Sequence, residues 1–296
     1  MDAIKFYNRY TGEIEVEQIY GERSLRWAHE TGLGRLALKA FLTKPWLSAL
    51  YGKRMNRAQS RDMIAPMIEE YGLDVSEFRD DPSDFEHFNA FFYRKLKPEA
   101  RPIDDAADNV VFPADGRHFL IPELNNGANF FLKGKRFDID SLFDDSELAN
   151  RFRGGSLVIS RLCPVDYHRF HFPISGAYQS LSTLPGPLYS VNPIALFMKP
   201  DSLWTNHRHV SLVTGKDGLD VGVVEIGATL VGGIHPTART GAVEKGDEKG
   251  YFSFGGSCLV TVWPRGRIRF ADDLIKQSSQ GVELYAKMGD KLGMIS

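Results

Sequence analysis

The stretch Phe254-Gly255-Gly256-Ser257-Cys258-Leu259-Val260, close to the C-terminus, sets how the rest of the chain is read. Two glycines give the backbone access to positive φ and to close approach by other groups, and a serine follows at once. From Cys258 to Trp263 the residues are strongly β-forming, so a strand begins where the glycines end. Taken alone, Gly-Gly-Ser is a tight turn entering that strand. Upstream, Val110-Val111-Phe112, Gly155-Ser156-Leu157-Val158-Ile159, Val210-Ser211-Leu212-Val213 and Val221-Gly222-Val223-Val224-Glu225-Ile226 repeat the pattern. These are short apolar runs separated by glycine, proline or aspartate. No regular βαβ alternation, heptad or repeat organises them, which predicts an antiparallel β-rich body from about residue 106 to 296.

The first third reads differently. A polar, tyrosine-rich lead contains a turn at Asn8-Arg9-Tyr10-Thr11-Gly12. From Ser24 to about Arg57 the apolar residues Leu33, Leu36, Ala37, Ala40 and Phe41 recur at helical spacing. Pro45 breaks or restarts the helix, and Trp46, Leu47, Leu50 and Tyr51 form a second stripe. Arg35, Lys39, Lys44, Lys53, Arg54 and Arg57 flank these stripes, and no acidic residue lies between Glu30 and Arg61. That suits helices lying in the plane of an anionic membrane over residues 33–57; it also suits a helical hairpin packed on the protein's own core. An aromatic helix, Phe85 to Phe92, follows, with acids at its start where the helix dipole favours them. Pro98 and Pro102 then mark a boundary near residue 105. The expected fold class is α+β: a helical N-terminal third (1–105) packed on an antiparallel β-rich catalytic body (106–296).

The 296 residues are 43% hydrophobic and 25% charged, enough for a sizeable core in a soluble protein. A formal net charge of -2 gives no footprint for nucleic acid. Cys163 and Cys258, the only cysteines, form neither a disulfide framework nor a metal-ligand set and point to a reducing compartment. The opening Met1 to Tyr7 lacks a basic segment followed by an apolar core, so no signal peptide is expected. No run approaches the roughly 18 apolar residues needed to cross a bilayer; membrane contact would come from the side.

Chemistry enters with the histidines. His168 and His171 sit in Arg161-Leu162-Cys163-Pro164-Val165-Asp166-Tyr167-His168-Arg169-Phe170-His171-Phe172-Pro173, either on one helical face or flanking one bend. A metal would need further ligands. The pair His207 and His209 is spaced unfavourably, and no cysteine or acid cluster completes the set. As a base, a histidine needs an orienting acid, and Asp115 in Pro113-Ala114-Asp115-Gly116 ends an apolar strand. Hydroxyl, imidazole and carboxylate make a nucleophile-activating set. A hydrolase elbow wants a glycine two residues after the serine, and Leu259 stands there. With glycines only on its N-terminal side, Ser257 is placed to attack the Gly256 carbonyl of its own chain. An N-to-O acyl shift, elimination and loss of ammonia would convert Ser257 into a pyruvoyl group, an electron sink that forms a Schiff base with an amine.

These residues resemble the phosphatidylserine decarboxylase proenzymes over nearly the whole chain. The matching segments are Phe112 to Gly116, Pro164 to Pro173, Ile226-Gly227-Ala228-Thr229-Leu230-Val231-Gly232 and Lys249 to Ser257, in that order; the opening Tyr7 to Gly12 resembles one bacterial branch. The family's cleavage motif is more often Leu-Gly-Ser-Thr, and Gly255-Gly256-Ser257-Cys258 keeps its Gly-Ser pair. The resemblance implies self-cleavage between Gly256 and Ser257, giving a β chain of 1–256 and an α chain of 257–296. It implies a triad in which His171 is the base for Ser257 and Asp115 orients it, with His168 serving the decarboxylation. It implies a pyruvoyl group derived from Ser257 and phosphatidylserine in an anionic membrane as substrate; no metal is expected, since no ligand set is complete. A homodimer, peripheral on the cytoplasmic side of the cell membrane, is implied too. Cys258 is expected to be a buried strand residue, not a second nucleophile.

Overall fold

The branched run after the glycine pair forms the middle of a large sheet. In the computed structural model, which describes residues 3–18, 27, 31–37, 45–124, 138–228, 233–255 and 257–296, Ser257–Trp263 is a strand with every residue buried. Along the chain the strands are β1 (Lys5–Asn8), β2 (Glu13–Val16), β3 (Asn109–Val111), β4 (Gly116–Ile121), β5 (Ser156–Leu162), β6 (Arg169–His171), β7 (Gly176–Leu184) and β8 (Arg208–Thr214). They continue as β9 (Asp220–Gly227), β10 (Ile234–Pro236), β11 (Gly241–Val243), β12 (Glu248–Phe252), β13 (Ser257–Trp263), β14 (Ile268–Phe270), β15 (Glu283–Ala286) and β16 (Lys291–Ile295). The large sheet runs β11-β7-β8-β9-β13-β5-β4-β15-β1-β2, and two small sheets run β10-β12-β6 and β14-β16-β3. Every pairing is antiparallel except β1 with β15. The class is α+β, as expected.

Strand β13 is buried on both faces because its side chains alternate between two cores. Leu259 and Trp263 join a cluster with Phe170 and Phe252 from one small sheet and Val110, Phe270 and Leu292 from the other. Cys258, Val260 and Val262 join the opposite cluster, closed by Leu142, Phe143, Phe152 and Trp204. Ser257 has the parity of Leu259, so it stands on the face covered by the small sheets.

The helical third contains α1 (Gly32–Ala37), α2 (Pro45–Met55), α3 (Ile64–Tyr71) and α4 (Phe88–Phe92). Pro45 starts α2, the position where its fixed φ and missing N–H cost nothing. Lys39, Ala40, Phe41 and Lys44, with the side chains of Arg35 and Trp46, lie outside the described residues. A third cluster, Met55, Ile64, Met67, Phe78, Phe85, Phe88, Phe91 and Phe92, also takes in Phe254 from the segment before β13. The helices therefore pack directly on Phe254, which precedes the glycine pair.

The tyrosine-rich lead is not part of that helical layer. Its predicted turn joins β1 to β2, and β1 pairs with β15 at the large sheet's edge. The hairpin reads as polar because, of its strand residues, only Phe6 is buried. His168 and His171 share no helix; they flank and end the short strand β6.

Candidate active site

Ser257 opens β13 between Leu162 of β5 and Gly227 of β9. Its side chain is fully buried, and its Oγ has no hydrogen-bond partner among the described residues. An unsatisfied buried hydroxyl costs about 1–3 kcal/mol, so its place here is not explained by stability. Gly255 holds φ at +136°, a conformation that side chains other than hydrogen resist. Gly256 lies outside the described residues, as do Thr229 to Gly232.

The approach to Ser257 is clamped from the helical side. The Phe254 N–H donates to Asn89 Oδ1 at 2.7 Å. Its ring sits 5.0 Å from Phe88, 4.9 Å from Phe92 and 5.9 Å from Tyr51 of α2. Asn89 is itself braced by donating to Asn56 Oδ1 at 2.7 Å.

His168 is fully buried against the Phe92 ring, with centroids 3.8 Å apart. Its Nδ1 lies 3.0 Å from the Asp166 carbonyl, an acceptor only, so Nδ1 carries the hydrogen. That leaves Nε2 as a bare lone pair, buried and without a partner among the described residues. Burial pushes its pKa down to about 3, and the nearby Arg94 charge adds to the effect against the Asp166 carbonyl. His168 is a neutral imidazole with one defined tautomer.

His171 ends β6 opposite Glu248 of β12, its backbone N–H donating to the Pro113 carbonyl at 2.7 Å. Its ring stacks on Tyr167 at 5.7 Å, and among the described residues Nδ1 has no partner. Burial lowers its pKa to about 4, opposed by the charges of Glu248 and Asp115. Asp115, 1% exposed, therefore acts on His171 through its field. Its hydrogen bonds run elsewhere: Arg101 Nη2 donates at 2.6 Å, Arg101 Nε at 2.9 Å and the Met288 N–H at 2.9 Å. Cys258 of β13 and Arg117 of β4 both pair with Arg161 of β5, so Ser257 and Asp115 lie towards the same end of the large sheet, and His171 is tied to Pro113, two residues before Asp115. Among the described residues His171 Nδ1 and Ser257 Oγ have no partner, and no hydrogen bond links the three.

A single pattern decides the family. A family model described as Phosphatidylserine decarboxylase matches residues 88–294, from the first residue of α4 into β16. A phosphatidylserine decarboxylase proenzyme of Fusobacterium nucleatum subsp. nucleatum is 37% identical over 293 residues, 99% of this chain and 98% of that protein. Its namesake from Clostridium perfringens is 38% identical over 291 residues, 98% of this chain and 99% of the other. One from Chlamydia trachomatis is 37% identical over 289 residues, 97% and 96% of the two chains. The chain belongs to the phosphatidylserine decarboxylase family. It is a decarboxylase by that membership.

The phosphatidylserine decarboxylase fold surrounds these groups with residues that no motif pointed to. Arg101, Asn89 and Arg94 come from the helical side. Asp166 accepts from Arg117 Nη1 at 2.6 Å and from the Cys163 N–H at 2.6 Å, which fixes the carbonyl that holds His168. Arg117 and Arg161 converge on buried Glu17, just past the N-terminal hairpin. The only sequence signal for these ties is an arginine or acid beside a buried run, which is too common to choose by. Cys258 is buried in β13, and burial pushes its thiol up to about 12, a protonated strand residue as expected. His209 donates or accepts within a separate buried chain, with Nδ1 2.8 Å from Glu225 and Nε2 2.9 Å from Ser180. Among the described residues no three His, Cys, Asp or Glu side chains are arranged to hold a metal ion. No described helix is long and apolar enough to cross a membrane.

Proposed function

We propose that the chain cuts its own Gly256–Ser257 bond, converts Ser257 into a pyruvoyl group, and with it decarboxylates phosphatidylserine to phosphatidylethanolamine. The observation that carries this reading is Ser257 Oγ: buried, without a hydrogen-bond partner among the described residues, and two residues past the positive-φ Gly255. In the first stage Ser257 Oγ forms a bond to the Gly256 carbonyl carbon as its proton passes to His171. Neutral at working pH, His171 can take that proton, and the Asp115 charge stabilises the resulting imidazolium. The acyl group moves from the Ser257 nitrogen to its oxygen. Loss of the Ser257 Cα proton then expels the Gly256 carboxylate, and hydrolysis releases ammonia. The segment before β13 suits the product, since the buried start of β13 keeps the new terminus inside the protein and away from bulk water.

The pyruvoyl group supplies a ketone that condenses with the serine amine and accepts the electrons left by the departing carbon dioxide. The chain's part is to shield and to move protons. His168 is locked with its hydrogen on Nδ1, so Nε2 takes a proton first, from the condensing amine, and then returns it to the carbon. Phe92 and Phe254 keep water from that exchange.

In this reading residues 1–105 bring the molecule to the lipid and 106–296 carry the chemistry, with a β chain of 1–256 and an α chain of 257–296. Leu33, Leu36 and Leu50 are 74%, 64% and 57% exposed, and Lys53, Arg54 and Arg57 surround the last of them. Such a surface supports peripheral binding to an anionic membrane on the cytoplasmic side. Helix α2 also places Tyr51 on Phe254, so one helix touches both the lipid-facing surface and the processing segment. The homodimer implied by the resemblance belongs to the same reading and is tested by sedimentation. The test of the chemistry is Ser257→Ala, which leaves one full-length, inactive chain; two fragments from that variant would refute it.

A further inference from the structure

All but one of the buried arginines among the described residues have strong acceptors. Arg101, Arg117, Arg161 and Arg169 each face a carboxylate at 2.5 to 2.8 Å. Arg208 lacks one but donates to the carbonyls of Leu142, Asn206 and Ser141. Arg94 has neither arrangement. It is 5% exposed, and among the described residues no carboxylate pairs with it. Its Nη1 reaches the Phe91 carbonyl at 3.5 Å and its Nη2 the Val165 carbonyl at 3.4 Å, both long, while Nε has no partner among the described residues. The guanidinium stands 4.6 Å from the Phe78 ring centroid and 5.0 Å from that of Phe91. Such contacts return only part of what burying a cation costs. A guanidinium has five donors in a fixed plane, and most of these have no good acceptor.

Its position ties it to the site. Phe91 contributes both a carbonyl and a ring to Arg94, and the next residue, Phe92, packs against His168 and meets Phe254 edge to face. Val165, the other acceptor, lies three residues before His168 and packs in the same aromatic cluster as Phe254. The Arg94 charge is felt at His168, and burial lowers the pKa of Arg94 itself to about 10.

We propose that Arg94 is the receptor for the phosphodiester of the lipid headgroup, held bidentate beside the chemistry. This rests on the decarboxylase reading above and adds to it the group that places the substrate. Phosphatidylserine offers two anions, and the reaction separates them. Its carboxylate leaves as neutral carbon dioxide. A guanidinium on it would stabilise a charge that is lost in the transition state, and so would slow the step. The phosphodiester keeps its charge throughout, so a cation there binds substrate and transition state alike. Arginine suits this role because its planar fork matches two phosphate oxygens.

The test uses full-length protein carrying Arg94→Met or Arg94→Lys and the monomeric substrate dihexanoyl phosphatidylserine, which removes membrane binding from the measurement. Self-cleavage into two fragments reports folding. The expected result is normal cleavage in both variants, with KM raised about thirtyfold or more for Arg94→Met, less for Arg94→Lys, and kcat within about threefold of wild type. Glycerophosphoethanolamine should compete with substrate on the wild type and not on Arg94→Met. If inorganic phosphate competes likewise, the site reads phosphate alone; if it does not, the site needs the rest of the headgroup. Three results would overturn the proposal: an unchanged KM, a loss confined to kcat, or failure of both variants to cleave, which would make Arg94 a structural residue. Wild type that cleaves but decarboxylates nothing would instead refute the underlying reading.

Discussion

Asn89 gives the sharpest test of how the fold sets up self-cleavage. Its side chain, 2% exposed, accepts the Phe254 N–H at 2.7 Å, and Phe254 is two residues from the bond to be cut. Asn89→Ala leaves that N–H buried without a partner, at about 1–3 kcal/mol. If the clamp holds the segment in its reactive arrangement, that cost falls on the reactive population, a slowing of about fivefold to about 150-fold. Asn89→Asp keeps an acceptor for Phe254, while Asn56 can turn its amide to donate. It should cleave faster than Asn89→Ala despite its buried charge. The assay is a time course of fragment appearance on a denaturing gel, started from freshly synthesised chain, with urea unfolding of the Ser257→Ala background run in parallel. Asn89→Ala cleaving at the wild-type rate, or slowing only in proportion to its unfolded fraction, would refute the clamp.

Further expectations follow from the same geometry. Burial holds the pKa values of His118, His168 and His171 near 3, 3 and 4. Because these folded values lie below the unfolded value of about 6.5, the unfolded chain binds more protons below that pH. Stability is therefore complete above about pH 6.5 and falls as pH drops towards 4, by roughly 1.4 kcal/mol per unit for each histidine. A urea midpoint that is flat between pH 7.5 and 5.5 would contradict this. Glu17→Gln leaves Arg161 paired with Glu283 alone and should destabilise by about 1–3 kcal/mol, seen as a lower urea midpoint. Cys258→Ala should still cleave, losing only about 1–2 kcal/mol of packing; loss of cleavage in a folded variant would make the thiol a participant. Replacing Leu33, Leu36 and Leu50 together with Ser should abolish flotation with anionic vesicles while leaving cleavage intact.

How much of this was legible in the sequence depends on how local each signal was. Strand β13 announced itself because its branched residues are contiguous, and Ser257 because glycines precede it. Asp115, His168 and His171 came from short motifs. What their motifs could not carry was direction. His168 and His171 could have shared a helix, and only pairing with β12 shows that they bracket a strand. The hairpin at residues 5–16 was hidden by its own exposure, since Phe6 alone among its strand residues is buried. Arg94, Asn89 and Glu17 were invisible for a different reason. Each is an ordinary polar residue whose role comes from a distant partner: Asn89 meets Phe254 165 positions away, and Glu17 meets Arg161 144 positions away. Sequence spacing says nothing about such pairs, because burial, not composition, makes them matter.

The central claim is that Ser257 ceases to be a serine. Intact mass of the small fragment from purified, active protein tests it most directly. The account predicts a fragment of residues 257–296 that is lighter by one ammonia than the serine-initiated peptide and that gains the mass of a carbonyl reagent. Active material that is a single full-length chain, or a small fragment beginning with an unmodified serine, would contradict it.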